Sequence, residues 1–152
     1  MLRFIRRLLD SKAKPKIAHP VLGPLQLEQG KRGPYWLREA YADGELTLSI
    51  DAEGEAEPTE AQVAFFNWIN SDLESIYSQV APELSSRHQG MQRKPVDADW
   101  HKTFRLVGIS VPSDGNKLAP WDITFECLTD NSGNLYTCYF ERGALANVSV
   151  DT

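Results

Sequence analysis

Hydrophobic and polar residues alternate with a period of two along several short stretches of the first third of the chain. Leucine and isoleucine occupy every second position of residues 46–50, between polar residues, which predicts a strand with one buried face. Val21–Leu27 and Tyr35–Tyr41 are earlier strand candidates, and Asp43-Gly44 predicts a tight turn into the third strand. Together these segments predict an antiparallel meander.

A helical period replaces this alternation after residue 58. Thr59 and Gln62 have the spacing of a capping box. Apolar residues then recur three or four positions apart, at Phe66, Ile69, Leu73, Ile76, Tyr77 and Val80. This pattern predicts one helix of about 22 residues, ending where Pro82 removes a backbone donor. The opposite side of the helix carries small residues and Trp68, so we expect another element or a partner to cover it.

The last third of the chain returns to a period of two. Arg105–Val111 predicts a strand, Trp121–Arg142 a β-hairpin, and Ala146–Val150 a final strand. With the earlier meander, this order of elements predicts an α+β fold, in which one long helix packs across an antiparallel sheet of about six strands. Residues 17–152 are predicted to form this single domain.

The register of the hairpin follows from a short turn within residues 131–134. This turn places Phe125 opposite Phe140 and Cys127 opposite Cys138, with apolar residues on one face of both strands. Both cysteines are therefore expected to be buried and reduced, and to fill space in the core.

Residues 1–16 form a basic leader, in which a helical wheel separates the apolar and charged residues of 2–10. Arg6 and Arg7 interrupt the apolar stretch that a signal peptide needs, so a cytoplasmic protein is expected. The leader predicts either a short helix docked on the domain, a frayed terminus, or weak membrane-surface contact by residues 1–10.

Charge narrows the range of partners. Residues 1–16 carry six Lys or Arg and one Asp, whereas residues 17–152 carry ten Lys or Arg and twenty Asp or Glu. An acidic main domain argues against nucleic-acid binding, which needs a basic face. It is compatible with a basic protein as the partner, and solubility alone explains the acidity equally well. The acidic loop that contains Glu53, Glu55 and Glu57, together with Trp68, is the predicted contact surface.

Motifs for catalysis, metal binding and cofactor binding are missing from the sequence. Its two cysteines lack CxxC spacing, its three histidines form no HxH or HxxxH pair, and neither a P-loop nor a GxSxG motif occurs. No catalytic residue, metal or cofactor is predicted. The alternative is a small-molecule or enzymatic pocket, for which the best residues are Asp97, Asp99, Trp100, His101 and Trp121.

Five segments of the sequence are the basis for comparing this chain with known proteins. The chain reads "HPVLGPL", "GPYWL", "ELTLSID", "TEAQVAFFNWI" and "DITFECLTDNSGNLYTCYFERG" in that order. In these features it resembles small bacterial cytosolic proteins of unknown function, some of which are similar to immunity proteins. The resemblance implies a non-enzymatic binding role and supplies no catalytic residues. An immunity-type inhibitor that binds a basic partner is therefore the leading functional hypothesis, and a membrane-surface adaptor is a further alternative.

Overall fold

The computed structural model describes residues 13–40 and 45–152. Most of the predicted leader and the Asp43-Gly44 turn lie outside these residues. The strands are β1 (Lys16–His19), β2 (Gly23–Gly30), β3 (Gly33–Arg38), β4 (Thr47–Asp51), β5 (Phe104–Val111), β6 (Trp121–Cys127), β7 (Leu135–Glu141) and β8 (Ala144–Asp151). The helices are α1 (Glu60–Ser71) and α2 (Leu73–Gln92), followed by a 3-10 turn, Trp100–Lys102.

All eight strands belong to one sheet, in which they follow one another in chain order. Every neighbouring pair is antiparallel except β4 and β5, which run parallel because the helices return the chain to the same end of the sheet. The α+β class and the mostly antiparallel sheet are confirmed. The expected count of about six strands was too low, and β1 was not predicted. Lys16, assigned from the sequence to the leader, is the first residue of β1 and pairs with Gln26.

The capping box is confirmed, but the single long helix is wrong. The Thr59 hydroxyl accepts from the Gln62 amide at 3.2 Å, and the Gln62 side chain accepts from the Thr59 amide at 3.0 Å. The helix then breaks at Asp72, which caps both helices. Before this break, the Asn70 and Ser71 side chains donate to backbone carbonyls of the preceding turn, a competition that weakens helix interiors.

Pro82 does not end the second helix, contrary to the sequence prediction. The helix α2 continues through it to Gln92 and stops at Arg93, whose backbone is left-handed with φ of 55°. Pro82 lies on the exposed side. The Ser78 carbonyl, which would have accepted the missing hydrogen bond, belongs to the same exposed side, where solvent can satisfy it.

The predicted register of the hairpin is also wrong. Cys138 pairs with Ile123, and Cys127 lies at the end of β6 opposite Phe104 of β5. The connection is longer than predicted because the Asp130 carboxylate accepts from the Ser132 and Asn134 amides and stabilises a wide loop. Both cysteines still lie on the buried face, and both are free thiols. Burial raises the pKa of the Cys138 thiol to about 12, which leaves it protonated and poorly nucleophilic.

The helices cover one face of the sheet, called here the covered face. It carries the largest buried side chains, including Trp36, Phe125, Tyr136 and Phe140. Phe65 of α1 packs edge-on against Trp121, and Tyr77 of α2 packs edge-on against Phe125. The residues that alternate with these point to the other side, called here the open face, which no other described element covers.

Candidate functional site

The structure divides the predicted pocket residues between two clusters. Trp100 stacks on Tyr77 with ring centroids 4.0 Å apart, and His101 stacks on the other side of Trp100 at 3.7 Å. Glu74 of α2 holds this stack, since its carboxylate accepts from Trp100 Nε1 at 2.9 Å and lies 2.6 Å from His101 Nε2. These hydrogen bonds lower the pKa of the Glu74 carboxyl, with that from Trp100 as the larger cause. The cluster joins α2 to the segment before β5.

The two predicted aspartates of this segment have local roles. The Asp99 side chain accepts from the His101 amide at 3.3 Å and caps the 3-10 turn. The Asp97 side chain accepts from the Asp99 amide at 2.9 Å, and the Asp97 amide donates to the Thr103 hydroxyl. Both carboxylates therefore stabilise the turn that presents Trp100.

Trp121 belongs to the second cluster, where it contacts Trp68. The two indole rings meet edge to face at 5.7 Å, and Phe65 completes the group. Trp68 is half-buried, and Lys117 Nζ lies over its ring at 4.1 Å. Within the part of the chain that the structure describes, Trp68 contacts the sheet and the segment that precedes β6. The small residues assigned to the same side of the helix, such as Ala64 and Ser75, are exposed, so the predicted covering of that side is not seen there. A cavity of about 230 Å³ remains beside the pair.

The acidic loop is anchored at two points although its side chains are exposed. The Ala52 amide donates to the Pro34 carbonyl at 3.0 Å, and Trp36 Nε1 donates to the Ala56 carbonyl at 2.8 Å. Glu53, Glu55 and Glu57 all lie on the exposed side of this anchored loop. These hydrogen bonds fix the backbone from which its carboxylates project.

Asp114 faces the acidic loop across a cleft of about 380 Å³ at the beginning of α1. The turn that carries Asp114 approaches α1 so closely that a Cβ atom at Gly115 would collide with the Ala61 carbonyl. Gly115 also has a left-handed backbone, with φ of 65°. Glu53, Glu55, Glu57 and Asp114 are called here the acidic surface.

The charge of this region is unusually one-sided. Between Arg38 and Arg87 the chain carries eleven Asp or Glu residues and no Lys or Arg. Among the described residues of this stretch, most of the acidic side chains are exposed, including those of the acidic loop and of the first turn of α1. This part of the surface therefore presents a negative potential that no cation of the same stretch offsets.

A second polar site lies on the open face and was missed by sequence reasoning. Ser49 pairs with Ser110 across the parallel strands, Ser110 pairs with Asp122, and Asp122 pairs with Tyr139. On the other side, Asp51 of β4 pairs with Tyr35 of β3. A cavity of about 380 Å³, called here the open-face pocket, is lined by Tyr35, Ser49, Asp51, Ser110, Asp122 and Tyr139. Its lining also includes the cations Lys31 and Arg32 and the acidic residue Glu141.

The electrostatics of the open-face pocket centre on its two aspartates. Desolvation raises the pKa values of Asp51 and Asp122, and the positive charge of Arg32 partly offsets both shifts. The negative charge of Asp51 further raises the pKa of Asp122. Neither carboxylate has a hydrogen-bond or ion-pair partner among the described residues.

Only part of the open-face pocket could be predicted from the sequence. The alternation of apolar and polar residues along β6 and β7 is a signal that puts Asp122 and Tyr139 on the polar face of the hairpin. Their approach to Asp51 depends on the pairing of β4 with β5, which lie far apart in the chain and carry no local signature of parallel pairing.

No family model, no curated protein and no solved structure matches this chain. Within residues 13–40 and 45–152, no helix is long and apolar enough to cross a membrane. The same residues contain no group of three or more His, Cys, Asp and Glu side chains arranged to hold a metal ion.

Proposed function

We propose that this protein is a binding module that recognises a basic partner protein through the acidic surface. The observation that carries the proposal is the clustering of Glu53, Glu55 and Glu57 on one anchored loop, within a run of eleven acidic residues that contains no Lys or Arg. An inhibitory, immunity-type role is consistent with this mode of binding, since it needs a surface and no catalytic group.

The geometry of the acidic surface supports recognition beyond simple solubility. Its loop is held by hydrogen bonds from Trp36 and to Pro34, so the carboxylates project from a defined backbone. A preorganised charged surface loses less conformational entropy on binding than a flexible loop. The concave cleft beside Asp114 gives the surface a shape as well as a charge.

Long-range attraction is the physical basis of the expected binding. Charges separated by less than a Debye length, roughly 8 Å at physiological ionic strength, reinforce one another. A cluster of carboxylates therefore steers a basic surface during encounter and acts mainly on the association rate. This rate should fall as salt rises.

A phage-displayed random peptide library tests the proposal, with short peptides in place of the basic partner. The library is selected on the wild-type chain and counter-selected on the triple variant Glu53→Lys, Glu55→Lys, Glu57→Lys. We expect enrichment of Lys- and Arg-rich peptides, with association rates that fall steeply with NaCl and are at least about tenfold lower for the triple variant.

A matched control separates position from net charge. The variant Glu39→Lys, Glu83→Lys, Asp151→Lys makes the same charge change at sites away from the acidic surface, and it should retain most of the peptide binding. Enrichment of peptides without basic residues, or equal loss of binding in both triple variants, would refute the acidic surface as the recognition site.

A further inference from the structure

The open-face pocket has the chemistry of a receptor for a planar cation. We propose that it binds the guanidinium group of an arginine side chain carried by the basic partner. This inference rests on the proposed function, because it names the group by which the partner is recognised next to the acidic surface.

The pocket supplies carboxylates that no described cation pairs with. Asp122 is half-buried near the middle of the open face, whereas Asp51 is exposed. Neither carboxylate makes a hydrogen bond or ion pair with a described residue. A carboxylate that has lost part of its hydration gains most from a cation that also donates hydrogen bonds. The pocket is therefore complementary to a positively charged donor.

The walls and floor fit a flat group. Tyr35 is the cross-strand neighbour of Asp51, and Tyr139 is that of Asp122, so each carboxylate lies beside a phenol ring. Between the two pairs, Ser49 and Ser110 leave the floor low because their side chains are small. Guanidinium stacks on aromatic rings and bonds carboxylates through two parallel N–H groups, whereas an ammonium ion acts as a point charge.

The volume and location of the pocket agree with a side chain as the ligand. About 380 Å³ is near the lower end of the range of roughly 300–1,000 Å³ typical of ligand sites. Asp51 lines both this cavity and the cleft of the acidic surface. A partner held at the acidic surface would thus lie next to the entrance of the pocket.

Arg32 gives the proposal its sharpest test, since both Lys31 and Arg32 line the pocket but the charge of Arg32 is the one that acts on both aspartates. It lies on the turn between β2 and β3, its charge acts on both aspartates, and it forms no ion pair with either. If the ligand is a cation, Arg32 repels it, and its removal should strengthen binding. If the ligand is an anion, removal of Arg32 should weaken binding.

The first experiment titrates the full chain with N-acetyl-L-arginine N-methylamide and follows backbone amide shifts by NMR. N-acetyl-L-citrulline N-methylamide is the control, since it has nearly the same shape but no charge. We expect saturable shifts around Asp51, Asp122 and Tyr139, with affinity at least about tenfold weaker for citrulline. Equal responses to the two probes, or shifts only elsewhere, would overturn the proposal.

Two further probes identify the source of the guanidinium group. Free L-arginine and agmatine should bind no more tightly than the blocked arginine amide, if the pocket takes a side chain of a protein. Binding of either small molecule at least about tenfold more tightly than the amide would assign the pocket to a free metabolite and overturn this part of the proposal. Tighter binding of N-acetyl-L-lysine N-methylamide would overturn the choice of guanidinium.

Variants connect the binding to the named residues. Asp122→Asn should weaken binding of the arginine amide at least about tenfold, and Arg32→Gln should strengthen it about two- to fivefold. Asp151→Asn, an exposed change on β8, is the control and should leave it unchanged. Circular dichroism and thermal melts verify that each variant is folded. Unchanged binding by Asp122→Asn, or weaker binding by Arg32→Gln, would contradict the cation site.

The failure of this inference is distinguishable from that of the proposed function. The triple variant of the acidic loop should lose the selected basic peptides but still bind the arginine amide at least about tenfold more tightly than the citrulline amide, because Asp51 and Asp122 are intact. If the wild-type chain does not bind the arginine amide but still enriches basic peptides, only the arginine site in the open-face pocket is refuted.

Discussion

The two faces of the sheet are built from alternate residues of the same strands, yet they differ in almost every physical respect. On β6, Ile123 and Phe125 are fully buried under the helices, whereas Asp122 and Thr124 lie on the open face and are partly exposed. The covered face consists of aromatic and aliphatic groups in mutual contact. The open-face pocket is lined by hydroxyl, carboxylate and phenol groups together with Lys31 and Arg32, and its two aspartates form no ion pair within the described residues.

Along a single strand, the residues of the covered face therefore serve the stability of the fold, whereas those of the open face are available for binding. Burial of apolar surface on the covered face supplies the main driving force of folding. The open face contributes little of that energy and can carry carboxylates that the fold does not need. Changes on one face should therefore act on unfolding, and changes on the other should act on binding and on the response to pH.

The strongest way to test this comparison is to truncate a ring on the covered face. Phe125 is fully buried and contacts Tyr77, Trp100 and Phe104. We expect Phe125→Ala to lower the free energy of unfolding by about 4 kcal/mol in urea denaturation, because it leaves a cavity among rings that cannot close in.

The neighbouring residue on the open face provides the control for that change. Thr124 shares a hydrogen bond of 3.0 Å with Thr137 across the strands, so Thr124→Ala should cost about 1 kcal/mol. Similar losses from the two substitutions would show that the two faces share the stability of the fold more equally than the burial implies.

A smaller loss is expected from Trp68, which lies at the margin of the covered face. Trp68→Ala removes the edge-to-face contacts with Phe65 and Trp121. It also removes the indole ring over which the Lys117 ammonium group lies. Because the indole is half-buried, we expect a loss of about 2–3 kcal/mol in the same assay. A loss below about 0.5 kcal/mol would show that the indole contributes little to the fold; Trp68 would then return to its predicted role as a contact residue for a partner.

The smallest expected change in the free energy of unfolding comes from Asp122 on the open face, and it depends on pH. The Asp122 carboxyl has a raised pKa because of burial, so the folded state holds its proton more tightly than the unfolded state. The contribution of this group to the free energy of unfolding falls as the pH rises above the ordinary aspartate value of 3.8 and then levels off. Asp122→Asn removes this fall.

Urea denaturation at a series of pH values measures that effect. We expect the stability of Asp122→Asn relative to the wild type to increase from pH 3 to neutral pH. Ser110→Ala, a neighbouring change without a titrating group, should show no such increase in its difference from the wild type. A relative stability that decreases with pH would mean that the Asp122 carboxylate is stabilised in the folded protein, contrary to its surroundings.

Local signals in the sequence predicted local structure well. The Thr59 and Gln62 capping box, the inward positions of both cysteines and the alternation of most strands were readable because each depends on a few neighbouring residues. The hairpin register failed because one side chain, Asp130, stabilises a longer loop than the shortest turn compatible with the pattern.

The open-face pocket could not be predicted, because its residues come from strands whose order is set by the whole fold. Asp51 and Asp122 are each ordinary polar residues of a strand in the sequence. They become parts of one cavity only when β4 and β5 lie side by side. The acidic loop, by contrast, was visible as a run of carboxylates, although its anchoring by Trp36 was not.

The parallel pairing of β4 with β5 also has a consequence for how the chain acquires its site. Strands β1–β4 and β5–β8 are two meanders with short connections, while the paired residues Thr47 and Gly108 lie about sixty positions apart. Contacts of this separation lower the folding rate, since a long segment must be closed before they form. Tyr35 and Asp51 belong to the first meander, and Asp122 and Tyr139 belong to the second. Neither half of the chain on its own therefore contains the open-face pocket, which exists only once the two meanders have joined.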